Sequence, residues 1–265
     1  MSQDHASEKY LGDGVTAKYL PPKFDSFELM LEQIINDPNF AVAAIALAIA
    51  LVIFTFVLIR LCTGKGRKGD SILLIGLAES GKTTLATLMS GDVQNAPLTV
   101  TSMKANEISA KISKSRSCTI IDLPGFDRLR PRFWEEYKPR GRALIFVIDS
   151  LAFLSNARDV AEYLYDILSD SFVSSSKIPI LIACNKQDAA RAKSCNVISR
   201  QLEREMTAIR ETRAASLNEE DIVILGSLTR DFTWRDVKNP ISFCDCSCLQ
   251  GEPQVRSVAE WILAL

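Results

Sequence analysis

Histidine is almost missing from this chain: His5 is the only one in 265 residues. Protein zinc centres draw on combined His and Cys ligands. No further Cys or His cluster exists to complete a site with the one close cysteine group, Cys244, Cys246 and Cys248. Net charge is missing as well, because 31 Lys and Arg face 32 Asp and Glu, for a balance of −1. The chain therefore carries no general basic field, and direct nucleic-acid binding is not expected. Any phosphate binding must come from a local site. Cysteines number seven, an odd count scattered through apolar stretches such as those holding Cys118 and Cys184, which reads as a reducing compartment. At alternate spacing, Cys244, Cys246 and Cys248 would share one face of a strand as small apolar side chains. No internal repeat is visible.

Charge is also absent from Phe40 to Ile59, FAVAAIALAIALVIFTFVLI, where only Thr55 is polar. Twenty helical residues rise about 30 Å, the hydrocarbon thickness of a bilayer. The sequence thus predicts a single transmembrane helix over residues 40–62. A signal peptide fits poorly, since its basic segment should come first, whereas residues 1–39 hold seven acidic and three basic residues. Basic residues follow the span instead, at Arg60, Lys65, Arg67 and Lys68. That asymmetry puts the C-terminal side in the cytosol and residues 1–39 in the lumen or exterior. Phe24 to Ile35 has helical apolar spacing at Phe27, Met30, Leu31 and Ile34, the pattern of a short amphipathic helix.

What is present beyond the basic linker, residues 63–70, is an alternation of apolar strand-like runs with longer helix-like stretches. With 47% apolar residues there is ample material for a core. The expected class is α/β, with strands near Ser71–Ile75, Ile108–Ile112, Cys118–Leu123, Ala143–Asp149, Ile178–Asn185 and Ile241–Cys246. Only Ser113 to Ser117 separates the second and third of these, too short a link for a crossover. They should form an antiparallel edge hairpin on an otherwise parallel sheet. Residues 190–215 carry mixed charge at helical spacing and read as a solvated helix face. The polar stretch from there to Asn239 has no assignable pattern.

Three motifs carry chemistry. GLAESGKTT, residues Gly76, Leu77, Ala78, Glu79, Ser80, Gly81, Lys82, Thr83 and Thr84, follows an apolar strand and opens a helix. That is the setting of a phosphate-binding loop, in which glycines turn backbone N–H groups inward and the helix N-terminus faces the anion. Lys82 would bridge β- and γ-phosphate oxygens, and the Thr83 hydroxyl would ligate Mg²⁺. DLPG follows: Asp122 can hold Mg²⁺ through water, and the Gly125 N–H can reach the γ-phosphate. The third motif, NKQD, closes a strand where open α/β sheets bind ligands. Asp188 can accept from guanine N1–H and N2 amino groups, whereas adenine would leave the carboxylate unpaired, at a cost of several kcal/mol in a desolvated site. Asn185 would tie the loops and the Lys186 stem would cover the base. The expected ligands are GTP and Mg²⁺.

These motifs resemble the Ras-like P-loop GTPases, and GL-x3-GKTT resembles their Arf/Sar branch. Closer still, an apolar span before the domain, DLPG in place of the Arf-type DVGG, and CNKQD look like the signal recognition particle receptor beta subunits. RQLEREMTAIRETRAASL and ISFCDCSC support the same resemblance over roughly residues 70–265. It implies an endoplasmic reticulum anchor that, with GTP bound, captures the N-terminal domain of a receptor alpha subunit. The ribosome or translocon stands as a further candidate contact. By the same resemblance Thr101, with Thr99 as runner-up, would read Mg²⁺ and the γ-phosphate, and Ser247 and Cys248 fall in the last guanine-contacting loop. One departure matters: Phe126 occupies the place of a water-positioning Gln or His, and a phenyl ring can neither donate to nor accept from water. The following DRLRPRFWEEY is either an interface or the packing of a switch helix. The alternative function is an Arf/Sar-like trafficking switch, against which stand Phe126 and Ser2, where N-terminal acylation would need Gly.

Overall fold

The structure, a computed structural model, describes residues 38–63, 69–91, 102–113, 116–215, 224–249 and 254–265. The amphipathic stretch expected at residues 24–35, the linker residues 64–68, and Thr99 and Thr101 lie outside the described residues. Two compact units are present, residues 1–64 and 65–265.

In the first unit, α1 (Pro38–Thr63) is a helix of 26 residues, about 39 Å at 1.5 Å per residue. Its longest run of described side chains, Ile45 to Thr55, is exposed throughout. Among the described residues no helix is long and apolar enough to cross a membrane.

The second unit is built on a six-stranded sheet in the order β2-β3-β1-β4-β5-β6. Its strands are β1 (Ser71–Ile75), β2 (Asn106–Ser113), β3 (Arg116–Asp122), β4 (Gly141–Asp149), β5 (Ile180–Asn185) and β6 (Ile241–Asp245). Only β2 and β3 pair antiparallel; all other neighbours are parallel. This is the expected α/β class with its edge hairpin. Alternation along each central strand feeds two cores. Leu73, Ile121, Phe146 and Ile182 face one side, under α4 (Phe153–Ser169) and α6 (Cys195–Ala215). Ile72, Leu74, Ile145 and Val147 face the other, under α2 (Lys82–Ser90) and α7 (Arg256–Leu263). Strand β5 begins two residues later than the apolar run, because Pro179 has no N–H to give to the ladder. Its carbonyl still accepts from Leu144 N at 3.0 Å.

Two shorter helices are α3 (Arg130–Tyr137) and α5 (Ser171–Ser176). Asp170 caps α5, its Oδ1 accepting from Phe172 N and Val173 N, while its Oδ2 accepts from Trp134 Nε1 at 2.9 Å. Trp134 is buried, with Phe133 and Tyr137 partly buried against the same core. These aromatics pack the helix after DLPG onto the sheet. Helix α6 is solvated on its charged face, as expected, but its inner face carries Arg210 as well as Ile198, Leu202 and Met206. Arg210 is 1% exposed. Its guanidinium donates to the carbonyls of Leu225 and Arg230, which fixes part of the stretch with no assignable pattern. That stretch also holds a 3₁₀ turn, Trp234–Asp236.

Candidate nucleotide site

All the motifs converge at the C-terminal ends of β1, β3, β5 and β6. They surround a cavity of about 410 Å³ lined by Ala78, Glu79, Gly81, Lys82, Thr83, Thr84, Ser102, Gly125, Asn185, Lys186, Asp188, Cys248 and Leu249. Gly76, Leu77 and Ser80 belong to the same loop without lining the cavity.

The loop leaves β1 and turns into α2 through Gly81, at φ 91°. This left-handed conformation is one that glycine adopts without steric cost. A side chain there would also collide with Asn185 Nδ2. That contact is functional in the fold, since Asn185 Nδ2 donates to Ser80 O at 2.9 Å and so ties the base motif to the phosphate loop across 105 residues. Lys82, 6% exposed, donates from Nζ to Leu77 O at 2.6 Å. Burial pulls its pKa down to about 8, the Asp122 charge working against that fall and Arg130 adding to it. An anion at this point would satisfy the ammonium.

A second centre is made of oxygens. Thr83 Oγ1 donates to Asp122 Oδ2 at 2.5 Å and stands 3.1 Å from Ser102 Oγ. Asp122 is fully buried, and burial raises its pKa against the lowering effects of the Thr83 bond and the Lys82 charge. Its other oxygen, Oδ1, is buried with no hydrogen-bond partner among the described residues. Such an atom costs about 1–3 kcal/mol unless something occupies it. A hard, oxygen-loving cation such as Mg²⁺ fits this donor set.

Beside it, Gly125 stands against the loop: a Cβ there would lie 2.6 Å from both Ala78 N and Lys82 Nζ. Phe126, 45% exposed, is not among the residues lining the cavity.

At the base end, Lys186 adopts φ 65° and its Nζ pairs with Asp149 Oδ2 at 2.6 Å. Gln187 Nε2 reaches Ser150 Oγ at 3.0 Å and Lys193 O at 2.8 Å, and its backbone N donates to Cys246 O. Asp188 lines the cavity, and one of its oxygens accepts from Ser247 Oγ at 2.6 Å. Ser247 is thus a buried prop for Asp188, while Cys248 lines the cavity itself. Burial and the Asp188 charge push the Cys248 thiol up to about 12, so it stays uncharged beside the carboxylate. Cys244, Cys246 and Cys248 all pack against the same core. Ser102, Asp149 and Leu249 belong to none of the three motifs; each reaches the site only through the fold, and the place of Ser102 next to Thr101 is the one local signal for any of them.

Over residues 67–241 the chain matches the family model described as signal recognition particle receptor beta subunit. It is 32% identical to the signal recognition particle receptor subunit beta of Rattus norvegicus, over 97% of each chain. The chain belongs to the signal recognition particle receptor beta subunit family. Its fold agrees with that membership: the solved structure of the mammalian SRP receptor superposes with a TM-score of 0.65 at 34% identity, covering 73% of this chain and 98% of the other. A second beta subunit of the family, SRb-GDP-Mg from Chaetomium thermophilum, superposes with a TM-score of 0.58 at 25% identity, covering 73% and 96%.

Proposed function

We propose that the chain is the membrane-anchored, GTP-binding subunit of a signal recognition particle receptor, recruiting the alpha subunit to the endoplasmic reticulum for co-translational protein targeting. The observation that carries the nucleotide assignment is the convergence of Lys82, Thr83 and Asp188 on one cavity. Asn185 reaches from the base motif to the phosphate loop there. The Chaetomium relative is described with GDP and Mg, which supports the same pair of ligands here.

Each residue then has a physical task. Backbone N–H groups from Glu79 to Thr84 and the α2 N-terminus take the β-phosphate, and Lys82 takes the β- and γ-phosphates. Thr83, and Asp122 through water, would hold Mg²⁺, with Thr101, or Thr99 as runner-up, as the expected further ligand; the cation would neutralise phosphate charge. Asp188, propped by Ser247, accepts from the two guanine donors, and the stem of Lys186, fixed by Asp149, covers the base. Phe126 polarises no water, so the GTP state should be long-lived and suited to docking rather than rapid cycling. Helix α1 anchors the chain, with residues 1–39 lumenal and the nucleotide domain cytosolic. The family membership favours this receptor role over an Arf/Sar-like trafficking switch.

Competition against a fluorescent GDP tests the site. GTP and GDP should displace it and ATP should not, and a version lacking residues 1–64 should behave as the full chain does. Displacement by ATP at comparable concentration would refute the base assignment.

A further inference from the structure

Arg130 opens α3 five residues beyond Gly125, and its side chain turns back. Its Nε donates to Gly125 O at 2.9 Å, and its guanidinium also pairs with Asp127. The same guanidinium lies over the Tyr163 ring, 4.6 Å from the centroid, and the side chain is only 16% exposed. Tyr163 belongs to the core beneath α4. A rigid planar cation is therefore clamped between the sheet's packing layer and one carbonyl of the DLPG loop. Its own backbone N donates to Phe126 O at 3.1 Å, closing the loop into a short turn.

We infer that Arg130 is the positioning residue that sets where Gly125 stands against the phosphate loop, and with it the preference of the site for a nucleoside triphosphate over a diphosphate. The inference rests on the guanine-nucleotide reading above. Gly125 leaves no room for error, since even a Cβ would come within 2.6 Å of Lys82 Nζ and of Ala78 N. A small shift of this backbone changes what a γ-phosphate meets beside Lys82. The diphosphate and base contacts would come from Gly81, Thr84 and the Asn185–Asp188 segment, at the start of α2 and the end of β5, whereas the contacts of Arg130 run to Gly125, Asp127 and Tyr163. Losing the clamp should weaken binding of the triphosphate selectively.

The test measures dissociation constants of the full chain for GDP and for a non-hydrolysable GTP analogue, in the unaltered form and in Arg130→Ala and Arg130→Lys. For Arg130→Ala the analogue should weaken about tenfold, the scale of one charge-assisted hydrogen bond, with GDP within about twofold. Arg130→Lys should recover part of the loss. If Arg130→Ala does not fold, Arg130→Gln keeps a donor without the charge and reads the same ratio. Equal weakening of both nucleotides, or an unchanged ratio, overturns the inference alone. Failure of the unaltered chain to bind either nucleotide overturns the guanine-nucleotide reading and takes this inference with it.

Discussion

Ser247 takes one oxygen of Asp188, and the carboxylate still lines the cavity with acceptor capacity to spare. Guanine supplies the two donors that this capacity needs; xanthine, with a carbonyl at position 2, does not. Asp188→Asn turns one acceptor into a donor, so GTP affinity should fall about a hundredfold while XTP gains. Competition binding with the two nucleotides checks this, and an unchanged order of affinities would show that Asp188 does not read the base. Phe126 carries a kinetic expectation. Its ring cannot orient water, so single-turnover hydrolysis by the chain alone should stay near or below about 10⁻⁴ per second. Phe126→His should raise the rate, and fast hydrolysis by the unaltered chain would contradict the reading.

Among the elements, the junction of α3 and α5 has the clearest energetic prediction. Asp170 accepts from two backbone N–H groups, from Trp134 Nε1 and from Lys138 Nζ at 3.1 Å. Burial alone would raise its pKa, but these donors outweigh it and hold the carboxyl below its ordinary 3.8. A depressed folded pKa contributes stability above pH 3.8 that is lost as pH falls through the folded value. Asp170→Ala should therefore cost about 2 kcal/mol at neutral pH, and the difference from the unaltered protein should shrink below pH 4; urea melts at both pH values measure it.

The strands were legible because apolar runs flanked by polar residues leave a sheet few choices, and a five-residue link permits only a hairpin. Arg210 was not legible. On a mixed-charge helix it reads as one more solvated cation, and the carbonyls to which it donates belong to Leu225 and Arg230, in a stretch without periodicity. The site divides along the same line. Gly81, Lys82, Thr83 and Asp188 announce themselves through local spacing, whereas Ser102, Asp149 and Arg130 matter only through partners that the chain fold brings near them.

At the scale of the whole molecule, the unit that holds α1 and the unit built on the sheet share one chain, and the proposed function needs both. The basic residues after the apolar run predict that, on intact microsomes, added protease will digest the domain beyond Ser71; its complete protection would reverse the topology. Recruitment of the alpha subunit is what the proposed role turns on. The most direct measurement is the affinity of the N-terminal domain of the receptor alpha subunit for the full chain in vesicles, loaded either with a non-hydrolysable GTP analogue or with GDP. Capture should be tight in the GTP form and at least about tenfold weaker in the GDP form. Equal affinity for the two forms, or capture of neither, would rule out the proposed receptor role.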